Sequence, residues 1–342
     1  MGTNTLAEEV LAGSRFALAR LLTLIENEDP QGEAALDALF PHSGHAHWIG
    51  VTGSPGAGKS SLVNRLAQAF RRPADGSPPR TVAIVAVDPS SPFTGGALLG
   101  DRVRMRDLSG DPGVFIRSMA SRGALGGLAR TTPAVVQALD SAGFDIILIE
   151  TVGAGQAEVE IARLAHTVLV VEAPGMGDDI QAIKAGILEI ADILVLNKAD
   201  LPGAENALRT LRAMLELGSQ PLAEAAEGAP PVWRPPLVPT IATQNEGIAE
   251  LMQHIQAHTA YLHQTSGWQA RDRSRLQTQV EELLQAALLK RWRSSLPDGQ
   301  YQQVLTDLQA RRISPYQALH LLLGNPPLPQ PNQCGSSALF NA

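Results

Sequence analysis

A phosphate-binding motif lies near the start of the chain, between an apolar run and a helical pattern. Residues 53–60 have the sequence Gly-Ser-Pro-Gly-Ala-Gly-Lys-Ser and match G-x-x-x-x-G-K-[ST] in full. Glycines let the backbone turn several amides toward one phosphate, and the next helix adds its positive end. Lys59 would bind the outer phosphates, and the Ser60 hydroxyl would be a ligand of Mg²⁺. We expect the nucleotide contacts of this loop to be Gly53, Ser54, Pro55, Gly56, Ala57, Gly58, Lys59, Ser60 and Ser61.

A second motif, Asn-Lys-Ala-Asp at residues 197–200, predicts the base of the nucleotide. The Asp200 carboxylate can accept hydrogen bonds from N1–H and the exocyclic amine of guanine. Adenine lacks this pair of donors, and a buried mismatch would leave the carboxylate unpaired. Asn197 and Lys198 would brace the base and the phosphate loop, and the backbone amide of Ala242 would lie near the guanine carbonyl. These residues favour GTP over ATP.

Acidic residues at the ends of two further apolar runs are candidate metal ligands. Glu150 ends the run 145–150, and three residues later Gly153 can offer its amide to the γ-phosphate. Asp88 ends another run, and Asp101 follows a glycine-rich loop. Mg²⁺ takes few carboxylates beside water and phosphate, so not all three need bind it directly, and Asp101 could instead cap a helix. Glu150 is longer than the usual aspartate, so contact through a water molecule stays open.

The motifs must be positioned by a sheet, because each follows one of seven apolar runs that alternate with helical patterns. Near-continuous apolarity is typical of strands buried on both faces, so we expect an α/β fold of the P-loop NTPase type, with a mostly parallel central sheet and helices on both faces. The carboxyl ends of such strands form the ligand edge, where all the motifs would meet. The predicted strands are 48–51, 81–87, 114–117, 145–149, 167–172, 193–196 and 237–241.

Helical patterns flank this region on both sides. We predict two helices between residues 5 and 40, broken near Asp29-Pro30, and further helices at about 248–261, 273–296, 300–310 and from 315. The proline-rich segment 218–239 would be a surface excursion, and the tail could not build a core. The predicted parts are an N-terminal helical extension (1–46), a P-loop GTPase domain (47–262), a C-terminal helical arm (263–324) and a disordered tail (325–342).

Composition excludes several classes of protein. The net charge of −7 over 342 residues, with no basic patch, argues against a nucleic-acid partner. The single cysteine, Cys334, fits a reducing compartment, and neither a signal peptide nor an apolar membrane span is evident. We therefore expect a soluble, cytoplasmic protein. Two histidine pairs, His45 with His47 and His254 with His258, lack the neighbouring ligands of a transition-metal site.

Longer segments resemble the MeaB/MMAA/ArgK family, whose members are GTPase chaperones of methylmalonyl-CoA mutase. The resemblance extends from about residue 6 to residue 323. It rests on Val-Asp-Pro-Ser-Ser-Pro-Phe-Thr-Gly-Gly (87–96), Leu-Gly-Asp-Arg (99–102), Phe-Ile-Arg (115–117), Leu-Gly-Gly-Leu-Ala (125–129) and Glu-Thr-Val-Gly-Ala-Gly-Gln (150–156).

The resemblance implies a GTPase that forms GDP and phosphate slowly until its partner accelerates it. Residues 88–106, 150–158 and 177–189 resemble three switch segments. Lys59 and Glu150 would belong to the catalytic site, and either Gln156 or Lys184 would orient water.

The resemblance also implies partners. Relatives form homodimers through their C-terminal helices and bind an adenosylcobalamin-dependent acyl-CoA mutase, gating cofactor loading, protection or reactivation. Methylmalonyl-CoA mutase is the expected client, although isobutyryl-CoA mutase stays open, and a cobalamin adenosyltransferase is a further expected partner.

Three alternatives remain beside this interpretation. A GTPase for nickel-enzyme maturation would need cysteine and histidine ligands near the switches, whereas the only cysteine lies in the tail. A P-loop kinase would need a base to activate its acceptor, and none is evident. In a nucleotide-dependent scaffold, hydrolysis would be incidental.

Overall fold

The protein is represented by a computed structural model, which describes residues 3–88, 106–108, 110–120, 130–151, 157–175, 189–218 and 232–324. The chain divides into two compact units, residues 1–276 and 277–342. In the part of the chain described here, no helix has both the length and the apolar character needed to cross a membrane.

The first unit is built on a sheet of seven parallel strands in the order β3-β2-β4-β1-β5-β6-β7. The seven predicted strands are confirmed, with ends that differ by a few residues. The strands are β1 (His47–Gly53), β2 (Val82–Asp88), β3 (Val114–Ala120), β4 (Ile146–Thr151), β5 (Thr167–Glu172), β6 (Ile193–Asn197) and β7 (Leu237–Thr240).

Two apolar cores cover the faces of this sheet. Successive residues of a strand point to opposite faces, so Trp48 and Ile147 belong to one core, whereas Ile49 and Leu148 belong to the other. Burial on both faces explains why the strands are nearly continuous apolar runs. The helices of the described chain are α1 (Thr3–Leu11), α2 (Arg15–Glu26), α3 (Pro30–Leu39), α4 (Lys59–Arg71), α5 (Thr132–Ser141), α6 (Ala157–Leu164), α7 (Ala204–Gly218), α8 (Ile248–Gln264), α9 (Gly267–Ser295), α10 (Gln300–Gln309) and α11 (Pro315–Leu322).

The N-terminal region contains three helices, so the prediction of two was wrong. Gly13 takes a positive φ of 84° and ends the first helical segment, and the Ser14 hydroxyl then accepts a hydrogen bond from the Ala17 amide at the start of α2. Apolar spacing continues across this break and therefore did not reveal it. The predicted break near Asp29-Pro30 is confirmed, with Asp29 as the N-cap of α3.

Polar contacts attach these helices to the sheet. Glu26 of α2 pairs with Arg117 of β3 at 2.6 Å, and Arg15 donates to the carbonyl oxygens of Pro112 and Val114. On α5, the Asp140 carboxylate accepts hydrogen bonds from the amides of residues 44–46 just before β1. These contacts fix the entry of the chain into the central strand.

The second unit contains the rest of α9, then α10 and α11. The Trp292 indole donates to the Leu322 carbonyl at 3.0 Å and meets the Tyr301 ring edge-on. Ser314 and Gln317 form a capping box at the start of α11. Helix α9 begins at Gly267, earlier than the predicted start near residue 273.

Candidate functional site

The phosphate loop joins the central strand β1 to helix α4. Gly53 ends β1 with a φ of 128°, and a Cβ there would lie 2.0 Å from the Val171 carbonyl oxygen. Gly58 has a φ of 93°, and its Cβ would lie 2.4 Å from the Asn197 side-chain nitrogen. Both positions therefore require glycine. Gly58 is also the N-cap of α4 and offers no side chain to the first helix amides, which is typical of an anion-binding helix end.

Lys59, the first residue of α4, is buried in the loop. Its ammonium donates hydrogen bonds to the carbonyl oxygens of Gly53, at 2.8 Å, and Ser54, at 3.0 Å. The loop therefore surrounds a positive charge, which could stabilise the outer phosphates of a nucleotide.

Ser60 and Glu150 lie together beside this charge. The Ser60 hydroxyl donates to Glu150 Oε1 at 2.5 Å, and both side chains are buried. Val51 pairs with Glu150 across β1 and β4, which explains how residues 90 positions apart meet. A hydroxyl and a carboxylate are hard oxygen donors that fit Mg²⁺, which takes its remaining ligands from water and phosphate.

The other predicted metal, catalytic and γ-phosphate residues cannot be placed. Asp88 ends β2 beside β4, but its side chain lies outside the described part of the structure. Asp101, Gly153, Gln156 and Lys184 lie entirely outside the described residues.

The Asn-Lys-Ala-Asp motif leaves the end of β6 and is bonded to the phosphate loop. Asn197 Nδ2 donates to the Ala57 carbonyl, and Lys198 Nζ donates to the Gly56 carbonyl, each at 2.8 Å. Lys198 has a φ of 58°, which turns the chain sharply after the strand. Asp200 follows in this turn and is exposed, so its carboxylate is open to a ligand.

A third segment, the short helical turn 242–244, completes this region and is called here the base loop. Its Ala242 amide, which we predicted to face the guanine carbonyl, donates to Asn197 Oδ1 at 3.1 Å. Arg65 of α4 donates to the carbonyl oxygens of Ala242 and Thr243 at 2.8 and 3.0 Å. The motifs did not identify Arg65, because its role depends on a contact 177 residues away.

Sequence reasoning also missed Glu172, the last residue of β5. Its carboxylate is buried, and Oε2 accepts a hydrogen bond from the Ser54 hydroxyl at 2.6 Å. Burial raises the pKa of this carboxyl group, although the Ser54 hydrogen bond and the Lys59 charge oppose that rise. The signal was present in the sequence, since Glu172 ends an apolar strand just as Glu150 does.

The opposite edge of the sheet carries a buried polar network, defined by His47, Thr167, His258, Asp192 and Arg271. The Thr167 hydroxyl lies 2.7 Å from His47 Nε2 and 2.9 Å from His258 Nδ1. Burial, reinforced by neighbouring histidines, holds the pKa of His47 well below its ordinary value. Burial would raise the pKa of Asp192, but the hydrogen bonds from Arg271 and the nearby His258 ring lower it to about 2.

His47 and His258, one from each of the two histidine pairs, therefore have a structural role in this network. His166 and His263 stack against Trp268 from α9, with centroid separations of 3.9 and 4.6 Å. Among the described residues, no group of three or more His, Cys, Asp or Glu side chains is arranged to hold a metal ion. The network instead attaches the first turns of α9 to the amino edge of the sheet.

Comparison with known proteins agrees with this geometry. The family described as "Methylmalonyl Co-A mutase-associated GTPase MeaB" matches residues 18–296. A protein of Pyrococcus abyssi that is named as a GTPase is 42% identical over 320 residues, covering 94% of this chain and 95% of that protein. GTPase ArgK of Escherichia coli is 37% identical over 258 residues, covering 73% of this chain and 75% of its own.

A solved structure is similar over nearly the whole chain. The crystal structure of LAO/AO transport system kinase has a TM-score of 0.67 and 27% sequence identity, covering 94% of this chain and 96% of that one. The P-loop fold predicted from the sequence is therefore confirmed.

Proposed function

This chain belongs to the MeaB family of methylmalonyl-CoA mutase-associated GTPases, and we propose on that premise that it is the GTP-hydrolysing chaperone of an adenosylcobalamin-dependent acyl-CoA mutase. The observation that supports the nucleotide site most strongly is the bonding of Asn197 and Lys198 to the phosphate loop. This bonding holds a guanine-specific motif at a fixed distance from the phosphate motif. The cytoplasm is the proposed compartment, since the chain has one cysteine.

The residues at this edge of the sheet have different roles in the transfer of a phosphoryl group from GTP to water. Lys59 stabilises negative charge on the outer phosphates, and the amides of the loop and of α4 hold the phosphate oxygens in place. Ser60 and Glu150 would hold Mg²⁺, which neutralises charge on the β- and γ-phosphates when bound. Asp200 selects guanine. Gln156 or Lys184 would orient the attacking water once the mutase is bound.

We also propose that the protein is a homodimer, as relatives in the MeaB/MMAA/ArgK family are. In the second unit, α9 presents an apolar stripe at helical spacing, formed by Val280, Leu283, Leu284, Leu288 and Leu289. The exposed fractions of these side chains lie between 48% and 62%, which is costly for leucines in water. A second copy of the same helix would bury the stripe in a self-complementary contact.

The test is GTP hydrolysis by the purified protein, alone and with methylmalonyl-CoA mutase from the same organism. We expect the mutase to accelerate the hydrolysis of GTP and to have no effect on the hydrolysis of ATP. Lys59→Ala should abolish the acceleration, because the loop loses its positive charge. Arg209→Ala, which removes an exposed charge on α7, is the matched control and should behave as wild type.

The result separates this proposal from its alternatives. The chaperone role would be contradicted if the protein binds GTP but neither a cobalamin-dependent acyl-CoA mutase nor a cobalamin adenosyltransferase accelerates its GTP hydrolysis. Transfer of labelled phosphate to a protein acceptor, instead of release as free phosphate, would favour a kinase. A scaffold would keep its mutase complex and its effect on the mutase in the Lys59→Ala variant.

A further inference from the structure

Glu172 is a buried acidic side chain at the nucleotide edge that neither the motifs nor the family resemblance assigns to a role. It is 4% exposed, and its Oε2 accepts the Ser54 hydroxyl hydrogen at 2.6 Å. Among the described residues, Oε1 has no hydrogen-bond partner. Burying a carboxylate with one oxygen unpaired is unfavourable to folding, so packing alone does not explain this residue.

The carbonyl and the hydroxyl of Ser54 are held by two different elements. The Lys59 ammonium, from α4, donates to the Ser54 carbonyl at 3.0 Å, whereas Glu172, from β5, accepts from the hydroxyl. The next residue, Pro55, has no amide hydrogen and cannot anchor the turn through a donor of its own. The first turn of the phosphate loop is therefore anchored through Ser54.

The charge of Glu172 opposes phosphate binding. Among the described residues, the charged groups that most affect its pKa are the Lys59 ammonium, which lowers it, and the Glu158 carboxylate of α6, which raises it. A nucleotide would add further negative charge to this neighbourhood. The hydrogen bond that Glu172 accepts therefore favours nucleotide binding, whereas its negative charge lowers the affinity for the nucleotide.

We propose that Glu172 is a positioning residue of the phosphate loop, which fixes Ser54 before the nucleotide arrives. This inference rests on the proposed GTP site. A loop that is ordered in advance loses less conformational entropy on binding, so removing the anchor should weaken nucleotide affinity. Glu172 acts through Ser54 and needs no contact with the nucleotide.

A set of substitutions separates the hydrogen bond from the charge. Glu172→Gln keeps an oxygen acceptor for Ser54 and removes the charge, whereas Glu172→Ala removes both. Ser54→Ala removes the donor and keeps the charge. We expect Ser54→Ala to raise the Kd for GDP about tenfold in the wild-type and Glu172→Gln backgrounds, and less than about twofold in the Glu172→Ala background. Glu172→Gln alone should bind GDP at least as tightly as wild type.

Steady-state kinetics distinguish positioning from a loss of fold. Partial unfolding lowers the active fraction and therefore kcat, with KM unchanged, whereas a disordered loop raises KM for GTP. Thermal unfolding of each variant checks the fold directly. Glu205→Gln, an exposed glutamate on α7, is the matched control for loss of a negative charge.

Two further outcomes would overturn the inference in different ways. If Ser54→Ala has the same effect on the Kd in all three backgrounds, or no effect in any, Glu172 is not a positioning residue and the proposed function stands. If the wild-type protein binds neither GDP nor GTP, the proposed function fails and the inference fails with it.

Discussion

Replacing Asp192 with asparagine should remove one of the strongest electrostatic contributions to the stability of this protein. Asp192 precedes β6 at the edge opposite the phosphate loop. Its carboxylate accepts two hydrogen bonds from Arg271, each at 2.7 Å, and one from the Val168 amide at 2.8 Å. His258 Nε2 lies 3.3 Å from the same group. The carboxylate is thus stabilised in its charged form by contacts that the unfolded chain lacks.

The magnitude follows from the pKa of Asp192, which is about 2 in the fold against an ordinary 3.8. Each pKa unit corresponds to about 1.4 kcal/mol, so the charged form contributes about 2 kcal/mol to the free energy of unfolding at pH 7. Because the folded-state pKa is depressed, the contribution is complete above pH 5. As the pH falls the unfolded chain binds the proton first, so about half of the contribution is lost by pH 3.

The assay is equilibrium unfolding in urea, followed by tryptophan fluorescence, at pH 7, 4 and 3. The indole of Trp233 donates to the Asp192 carbonyl, so the fluorescence reports on this region. Asp37→Asn, on the exposed face of α3, is the control and should change the free energy of unfolding by less than about 0.5 kcal/mol. If Asp192→Asn and wild type have the same free energy of unfolding at pH 7, or if they differ as much at pH 3 as at pH 7, the Asp192 carboxylate does not stabilise the fold in this way.

Three further predictions concern the base, the apolar stripe and the buried histidine. Asp200→Asn should raise the Kd for GDP by about a hundredfold in a filter-binding assay and leave weak ADP binding unchanged, because guanine loses two charge-assisted hydrogen bonds. An equal loss of affinity for both nucleotides would count against base recognition. Leu284→Arg should convert the proposed dimer to a monomer in analytical ultracentrifugation, with Arg273→Ala, outside the stripe, as control. A wild-type protein that sediments as a monomer would contradict the proposed dimer, and a Leu284→Arg variant that stays dimeric would show that the stripe is not its contact. Burial lowers the pKa of His47, so below pH 6.5 the unfolded chain binds a proton that the folded protein does not. The contribution of neutral His47 to the free energy of unfolding is therefore complete above pH 6.5 and falls as the pH drops, by up to about 1.4 kcal/mol per pH unit. His47→Gln should flatten that part of the pH profile in urea unfolding, and an equally steep profile would show that His47 does not titrate on unfolding.

Local pattern was sufficient to predict the sheet and its ligand edge. Strands buried on both faces produce continuous apolar runs, and a polar residue after such a run falls at a strand end. Glu150 and Asn197 both follow this pattern, and the structure has them at the same edge. Glu172 follows the same pattern at the end of β5, although it belongs to no recognised motif.

Other features could not be predicted because they depend on pairs that are distant in the chain. The Arg65 contact with the base loop and the Thr167 contact with His258 join residues 177 and 91 positions apart, and neither has a local signature. The break at Gly13 was missed for a different reason. Apolar spacing records which face of a helix is buried, whereas the break depends on backbone conformation and capping.

The central position of β1 also has a consequence for how the protein is made. The strand pairs with β4 and β5, and the Ala57 carbonyl of the phosphate loop is bound by Asn197, 140 residues later. At a synthesis rate of about 5–20 residues per second, Asn197 leaves the ribosome roughly 7–28 seconds after Ala57 does. Before β4 and β5 emerge, the apolar strand β1 lacks both of its neighbours in the sheet. Nascent chains should therefore depend on general folding factors until β4 and β5 emerge, and the loop should gain its nucleotide only after β6 has followed.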